Sequence, residues 1–177
     1  GEATAGAAFN DSYVRAYGLN LYVSSATLQD LTGTVSATAS SSTAATADTR
    51  AYGVYLSDTT ATVKDVNLTV AATAGKATTE AKTYAYGLYL TNGSKLQVTG
   101  DAIVKTALTM AESPGSLSWG HNGGNAFSLR NQSVLNLGTD GQNSLGKLVQ
   151  LEGDVWSNSE SKANITLDQS ASYLQGN

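Results

Sequence analysis

Along most of the chain, apolar positions alternate with polar or small ones in short runs. The segment 59–70 is representative, because its Val and Leu positions are separated mainly by Thr, Asn and Lys and it is rich in β-branched residues. A period of two is the pattern of a half-buried strand, whereas helical repeats need a 3.6-residue rhythm sustained over whole helices. The pattern therefore predicts an all-β chain of short strands.

One strand motif returns along the chain and sets its period. Residues 15–21 read Arg-Ala-Tyr-Gly-Leu-Asn-Leu, residues 50–56 read Arg-Ala-Tyr-Gly-Val-Tyr-Leu, and residues 84–90 read Tyr-Ala-Tyr-Gly-Leu-Tyr-Leu. The motif tyrosines are 35 and 34 residues apart, and a weaker copy, Asn-Ala-Phe-Ser-Leu-Arg at 125–130, places its Phe 41 residues further on. Self-similarity at such a period is typical of solenoids.

Each repeat carries two more apolar patches after the motif. The positions eighteen residues after the aromatics are Val35, Val70 and Val104, and between them lie Leu28 with Leu31, Val63 with Val66, and Leu96 with Val98. Three short strands per repeat account for this spacing. We therefore predict a right-handed parallel β-helix (β-solenoid) with about three strands per coil and a repeat of roughly 35 residues, forming a single segment over residues 1–177.

The alternation also predicts which side chains face the core. If Tyr17, Leu19 and Leu21 point inward, stacking of the coils forms an aromatic ladder of Tyr17, Tyr52, Tyr86 and Phe127. The motif Ala and Gly residues then form a flat exterior strip beside exposed Tyr55 and Tyr89. Such a strip would let another surface approach closely, although small residues also occur where nothing packs on them.

The amino-acid composition limits the classes of partner that the chain is expected to bind. Only 14% of the residues are charged and the net charge is −4, so the clustered Lys and Arg that bind nucleic acid or anionic membranes are missing. The chain has no Cys and no apolar run long enough to span a bilayer, so we expect no membrane insertion of this segment. It begins Gly-Glu-Ala without a signal-peptide pattern, and we expect a piece of a longer repeat array.

Candidate catalytic chemistry is sparse. His121 is the single histidine, and no Gly-x-Ser-x-Gly elbow lies near it. Six aspartates are spread singly through the repeats, and most of them are interpreted as turn residues: Asp58, Asp65, Asp101, Asp140, Asp154 and Asp168. We therefore predict a protein that is not an enzyme, with no catalytic residues, no cofactor and no metal.

Five residues are predicted to contact a ligand or partner. Trp119 and His121 lie in the glycine-rich segment 119–125, inserted before the weak fourth motif, where they form either a simple loop cap or a small carbohydrate-contacting patch. Tyr55 and Tyr89 would stand beside the exterior strip, and Arg130 ends the fourth motif.

The chain resembles a known class of exported proteins. The motif strands, the Asn-Gly-Ser-Lys-Leu-Gln-Val-Thr-Gly element at 92–100 and the run at 163–176 are similar to the passenger domains of Gram-negative autotransporters, which are pertactin-like right-handed parallel β-helices. The resemblance covers nearly the whole chain. It implies an extracellular or cell-surface location, with attachment to the outer membrane through a region outside this sequence.

On that basis we expect a stalk or adhesin module that acts in extension, adhesion or self-association. Its partner would be a host-cell or neighbouring-cell surface ligand, carbohydrate or protein, or a second copy of the chain. An alternative is a structural subunit that stacks end to end into extracellular filaments, as open solenoid ends permit. A polysaccharide-cleaving or carbohydrate-binding β-helix is a third alternative.

Overall fold

A computed structural model describes residues 2–5, 12–39, 46–109 and 124–176. Strands make up 73% of the structure, and the described residues contain no helix, which confirms the all-β prediction. In particular, no helix there is long and apolar enough to cross a membrane. The strands are β1 Glu2–Ala5, β2 Ser12–Ala39, β3 Thr46–Thr73, β4 Glu80–Thr91, β5 Lys95–Val98, β6 Ala102–Thr109, β7 Asn125–Leu129, β8 Val134–Leu137, β9 Val149–Glu152, β10 Asp154–Ser157, β11 Lys162–Ile165 and β12 Tyr173–Gln175.

The paired strands form one parallel sheet that divides into three columns. Residues 46–57 of β3 pair with β4, residues 60–63 pair with β5, and residues 66–73 pair with β6. The first column continues from β4 to β7 and β10, the second from β5 to β8 and β11, and the third from β6 to β9 and β12. Seven parallel strands turn through 288° about a common axis, so the sheet nearly closes on itself, as in a β-solenoid.

The motif copies pair residue against residue. Tyr17 lies opposite Tyr52, and Tyr52 lies opposite Tyr86. In the fourth copy, however, Asn125 lies opposite Tyr86, and Phe127 lies opposite Leu88. The prediction that Phe127 continues the aromatic ladder was therefore wrong, because the register is offset by two residues from the motif alignment.

A similar offset affects the third column. Val104 pairs with Leu68, and Val70 pairs with Thr106, so the equivalence of Val70 and Val104 expected from their distance to the tyrosines was also wrong. Strand pairing follows the core pattern along each strand and not a fixed count from the aromatic, because turns between strands differ in length.

The core is aliphatic and receives side chains from all three columns. Leu56, Leu88 and Leu90 of the first column are fully buried, as are Leu135 of the second and Leu151 of the third. Motif alanines belong to the same cluster, since Ala51 and Ala85 have no exposed surface. The expected exterior strip of Ala and Gly was wrong, because these positions face the interior.

Glycine explains the reversal of faces within the motif. A Cβ on Gly53 would lie 2.5 Å from the carbonyl oxygen of Gly87 and 2.8 Å from Cγ2 of Val70, so the backbone here approaches the core too closely for any side chain. Ala51 and Val54 both point inward although they are three residues apart. The strand therefore changes phase at the glycine, which leaves Tyr52 and Tyr55 on the exterior.

Polar side chains hold the bend between the first and second columns. Asp58, Asn92 and Asn131 adopt positive φ values of 50°, 53° and 52°, a conformation that short polar side chains tolerate better than most. Nδ2 of Asn131 donates to Oδ1 of Asn92 at 3.0 Å, and Nδ2 of Asn92 donates to the Ser57 hydroxyl at 3.0 Å. Side-chain bonds thus link successive turns at the same bend.

Aspartates hold the bend between the second and third columns. Oδ1 of Asp65 accepts from the Asp101 backbone N–H at 2.8 Å, and Oδ1 of Asp101 accepts from that of Leu148 at 3.0 Å. These bonds, with Asp58 at the other bend, confirm the turn role predicted for three of the aspartates. Asp140 has the same role, since it accepts the Gln142 and Asn143 N–H groups, whereas Asp154 begins β10.

Candidate ligand groove

An open groove of about 1130 Å³ lies on the outer face of the first column. Its walls come from β3, β4, β7 and β10, with further contributions near β12. Because strands of one column are hydrogen-bonded neighbours, side chains at equivalent positions are about 4.8 Å apart along the groove. The sequence thus places the same side-chain types beside one another in successive strands.

Two stacks of tyrosines lie at the groove, and Tyr52, Tyr86 and Tyr89 of these stacks line it. The inner stack consists of Tyr17, Tyr52 and Tyr86, with centroid separations of 4.9 and 5.2 Å and interplanar angles of 6° and 16°. The outer stack consists of Tyr55 and Tyr89, 5.2 Å apart at 9°, with Tyr22 tilted against Tyr55. This confirms the stacking of the aromatic ladder over the first three motif copies, but the prediction that these tyrosines point inward was wrong, because Ala51 and Val54 occupy the core face.

The two stacks meet at nearly right angles. Tyr52 meets Tyr55 with a centroid distance of 5.3 Å and an interplanar angle of 87°, and Tyr86 meets Tyr89 at 5.1 Å and 70°. Both stacked and edge-to-face pairs are favourable for aromatic quadrupoles, at about 0.5–1.5 kcal/mol per pair beyond area burial. The rings therefore hold one another in place on the outside of the sheet.

Packing of the rings changes their acidity. Burial raises the pKa of Tyr52, an effect that the neighbouring Arg50 guanidinium partly opposes, and burial likewise raises the pKa of Tyr86. Burial, followed by the neighbouring Tyr22, raises the pKa of Tyr55 to about 12. With raised pKa values, Tyr52, Tyr55 and Tyr86 stay neutral at physiological pH.

Two cations of the groove already have carboxylate partners. Arg50 donates from Nε and Nη2 to the two oxygens of Asp48, both at 2.6 Å, and its guanidinium lies 4.9 Å from the Tyr84 ring centroid. The hydrogen bond to Asp48 raises the pKa of Arg50. Lys82 pairs with Glu80 at 2.8 Å. These charges are internally compensated.

Arg130 is placed differently. Its guanidinium lies between two rings, 4.7 Å from the centroid of Trp156 and 5.6 Å from that of Tyr89. Among the described residues, no carboxylate forms an ion pair with it. The groove therefore contains one guanidinium whose ring contacts fix its position while its charge has no carboxylate partner in the described chain.

Three of the five residues predicted from sequence lie together in this region. Tyr55 stacks on Tyr89, and Arg130 lies over Tyr89. Trp119 and His121 lie outside the described residues. The prediction of a contact role for any of the five remains a prediction.

Sequence reasoning missed other residues of the groove: Arg50, Tyr52, Tyr84, Tyr86 and Trp156. One signal was available. Arg50 stands two residues before Tyr52, and a charged residue at that spacing shares a strand face, which marks the tyrosine as exterior. Trp156 has no such signal, because its strand lacks the motif.

Metal binding finds no support in the part of the chain that the structure describes, where no group of three or more His, Asp or Glu could hold an ion. No family model, curated protein or solved structure matches this sequence. The mixture of aromatic and polar groups in the groove is typical of ligand sites.

Proposed function

We propose that this chain is a non-catalytic contact module of an exported, surface-displayed protein, a β-helical stalk or adhesin segment of the autotransporter passenger type. The observation that carries the proposal is the groove, where stacked tyrosines and Trp156 lie on the exterior of a solenoid. Contiguous exterior aromatics rimmed by polar groups mark interaction sites, because aromatic rings supply large contact areas at low entropic cost. Its partner is a ligand on a host or neighbouring cell surface.

The proposal includes the finer architecture. β2 and β3 pair at a constant offset of 35 residues from Ser12 to Thr38, which supports a repeat of that length with three strands per coil. Connections between parallel strands of one sheet are right-handed in nearly all proteins. We therefore assign a right-handed parallel β-helix.

Adhesion of protein-coated beads to a panel of bacterial and epithelial cells tests the function. The double variant Tyr89→Ala with Trp156→Ala removes the rings on either side of Arg130, and we expect adhesion to fall about tenfold, as for truncation of aromatic hot spots. Tyr13→Ala is the matched control, because Tyr13 is 61% exposed on β2 and does not line the groove. Equal adhesion of all three proteins would contradict the proposal, with circular dichroism confirming that each is folded.

Self-assembly into filaments is the second candidate. In the described chain, residues 14–33 of β2 pair with β3 along one edge, no pairing is seen along the other, and Tyr22 and Val23 are exposed on this strand. An open edge can accept another strand. Filaments in electron micrographs, lost in Val23→Lys, would support this candidate, and a monomer whose light scattering is independent of concentration would exclude it.

Cleavage of polysaccharides has less support. Asp48 and Asp154 both line the groove. Asp48 is bound by Arg50 through both of its oxygens, whereas glycosidases use two carboxyl groups that are available to transfer a proton or to attack. Release of reducing or unsaturated sugar ends from a polysaccharide by the purified chain would overturn this ranking.

A further inference from the structure

We propose that the groove binds an acidic oligosaccharide, with a uronic acid carboxylate on the Arg130 guanidinium and pyranose rings against Trp156 and Tyr89. This inference rests on the contact function proposed above and names its ligand class. Three observations carry it: the charge state of the groove, the arrangement of its rings, and its length along the sheet.

The charge of the groove favours one kind of anion. Arg50 and Lys82 are paired with Asp48 and Glu80, and Asp154 also lines the groove, but among the described residues Arg130 has no ion-pair partner. A guanidinium presents a planar fork that matches a carboxylate through two parallel hydrogen bonds. Since the whole chain has a net charge of −4, an anion would be attracted by this local site and not by the overall field.

The rings around Arg130 suit a sugar. Trp156 is 43% exposed although Arg130 lies against it, so aromatic surface remains open to a ligand. The C–H groups of a pyranose ring carry partial positive charge and pack on the negative face of an aromatic ring. Asn125 also lines the groove, where it is half-buried, and provides an amide group suited to sugar hydroxyls.

The length of the groove favours a chain of sugars over a single small anion. It crosses four neighbouring strands of the first column, β3, β4, β7 and β10. Their spacing of about 4.8 Å is close to the length of one pyranose unit in an extended glycan. A free carboxylate or phosphate would use Arg130 alone and leave the rest of the groove empty.

Calorimetric titration with a galacturonate hexamer and its carboxyl-reduced neutral counterpart tests the inference. For the unmodified protein we expect the acidic hexamer to bind about tenfold more tightly, the difference expected for one charge-assisted pair. Arg130→Gln should abolish this preference, and Arg130→Lys should retain part of it. Arg15→Gln is the matched control, since Arg15 is exposed on β2 and lies outside the groove.

Loss of the ring surface should behave differently from loss of the charge. Trp156→Ala should weaken both hexamers by a similar factor, because the ring contacts sugar irrespective of the carboxylate. The urea midpoint of each variant, measured in parallel, separates lost binding from lost folding.

Two outcomes would overturn the inference. One is equal affinity for the acidic and neutral hexamers, and the other is an unchanged preference in Arg130→Gln. Binding of a proline-rich peptide in place of either hexamer, sensitive to Trp156→Ala, would replace the ligand class but leave the groove as the contact site. Cell adhesion that does not depend on Tyr89 and Trp156 would instead reject the proposed function itself.

Discussion

The first and second columns of the sheet use the same pairing but expose very different outer faces. In the second column, alternation is regular: Leu96 and Val98 are buried, while Lys95 before them is exposed and Gln97 between them is half-buried. In the first column, alternation is interrupted at Gly53, so Ala51 and Val54 face inward and Tyr52 faces outward. A single close backbone approach thus converts a predicted core face into the wall of a groove.

The outer faces also differ in what they offer a ligand. On the second column, Asn136 donates to Oε1 of Gln97 at 2.9 Å, and Asn164 donates to Oδ1 of Asn136 at 2.7 Å. The amide groups of this ladder therefore hydrogen-bond to one another along the sheet. On the first column, rings pack on one another and leave edges, hydroxyls and the Arg130 guanidinium facing the groove. For this reason we place the proposed contact site on the first column.

The substitution with the largest expected effect on stability tests which face of the motif strand points into the core. Ala51→Lys places an unpaired charge in the aliphatic core, and we expect a loss of more than about 4 kcal/mol in the free energy of unfolding. Thr27→Lys, on the exposed face of the second column, should change it by less than about 0.5 kcal/mol. Urea unfolding followed by circular dichroism measures both. A folded, stable Ala51→Lys protein would place Ala51 on the exterior.

A second substitution, with a smaller expected effect on stability, tests whether the glycine causes the change of phase in the strand. Gly53→Ala pushes a Cβ against the Gly87 carbonyl, and we expect destabilisation by about 2–3 kcal/mol. Gly33→Ala is the control: nothing lies within 4 Å of its added Cβ, so restriction of the unfolded chain should stabilise the protein by about 0.5 kcal/mol. If the midpoints of the two variants in urea coincide, the glycine does not cause the bend.

The smallest effect concerns pH and the outer tyrosine stack. Because the pKa of Tyr55 is about 12 in the folded protein against an ordinary 10.0, its contribution to stability is complete below pH 10. It is lost as pH rises toward 12, since the unfolded phenol ionises first. Urea midpoints at about pH 8 and about pH 11 should differ less in Tyr55→Phe than in the unmodified chain. An identical difference would show that Tyr55 does not contribute.

The register of the early repeats was predictable, because identical motifs at constant spacing bring Tyr17, Tyr52 and Tyr86 into one row. The position of Phe127 was not, since the sequence between the third and fourth motifs does not show how many residues its loop absorbs. From the sequence, Tyr89 was predicted to be exposed and Arg130 was predicted to contact a partner. The contact of Arg130 with Trp156 required the structure, because β10 carries no motif that relates it to β7.

The sequence by itself determined the strand periodicity, the parallel stacking of repeated motifs and a solenoid-like sheet. These features follow from the local alternation of apolar and polar residues and from the return of similar residues at one interval, and both patterns are visible in the sequence without a structure. Only the tertiary structure decided which face of the Ala-Tyr-Gly strand is inside. The reason is steric: the backbone at Gly53 lies against Gly87 and Val70, and this contact with distant residues reverses the alternation that a local pattern would continue.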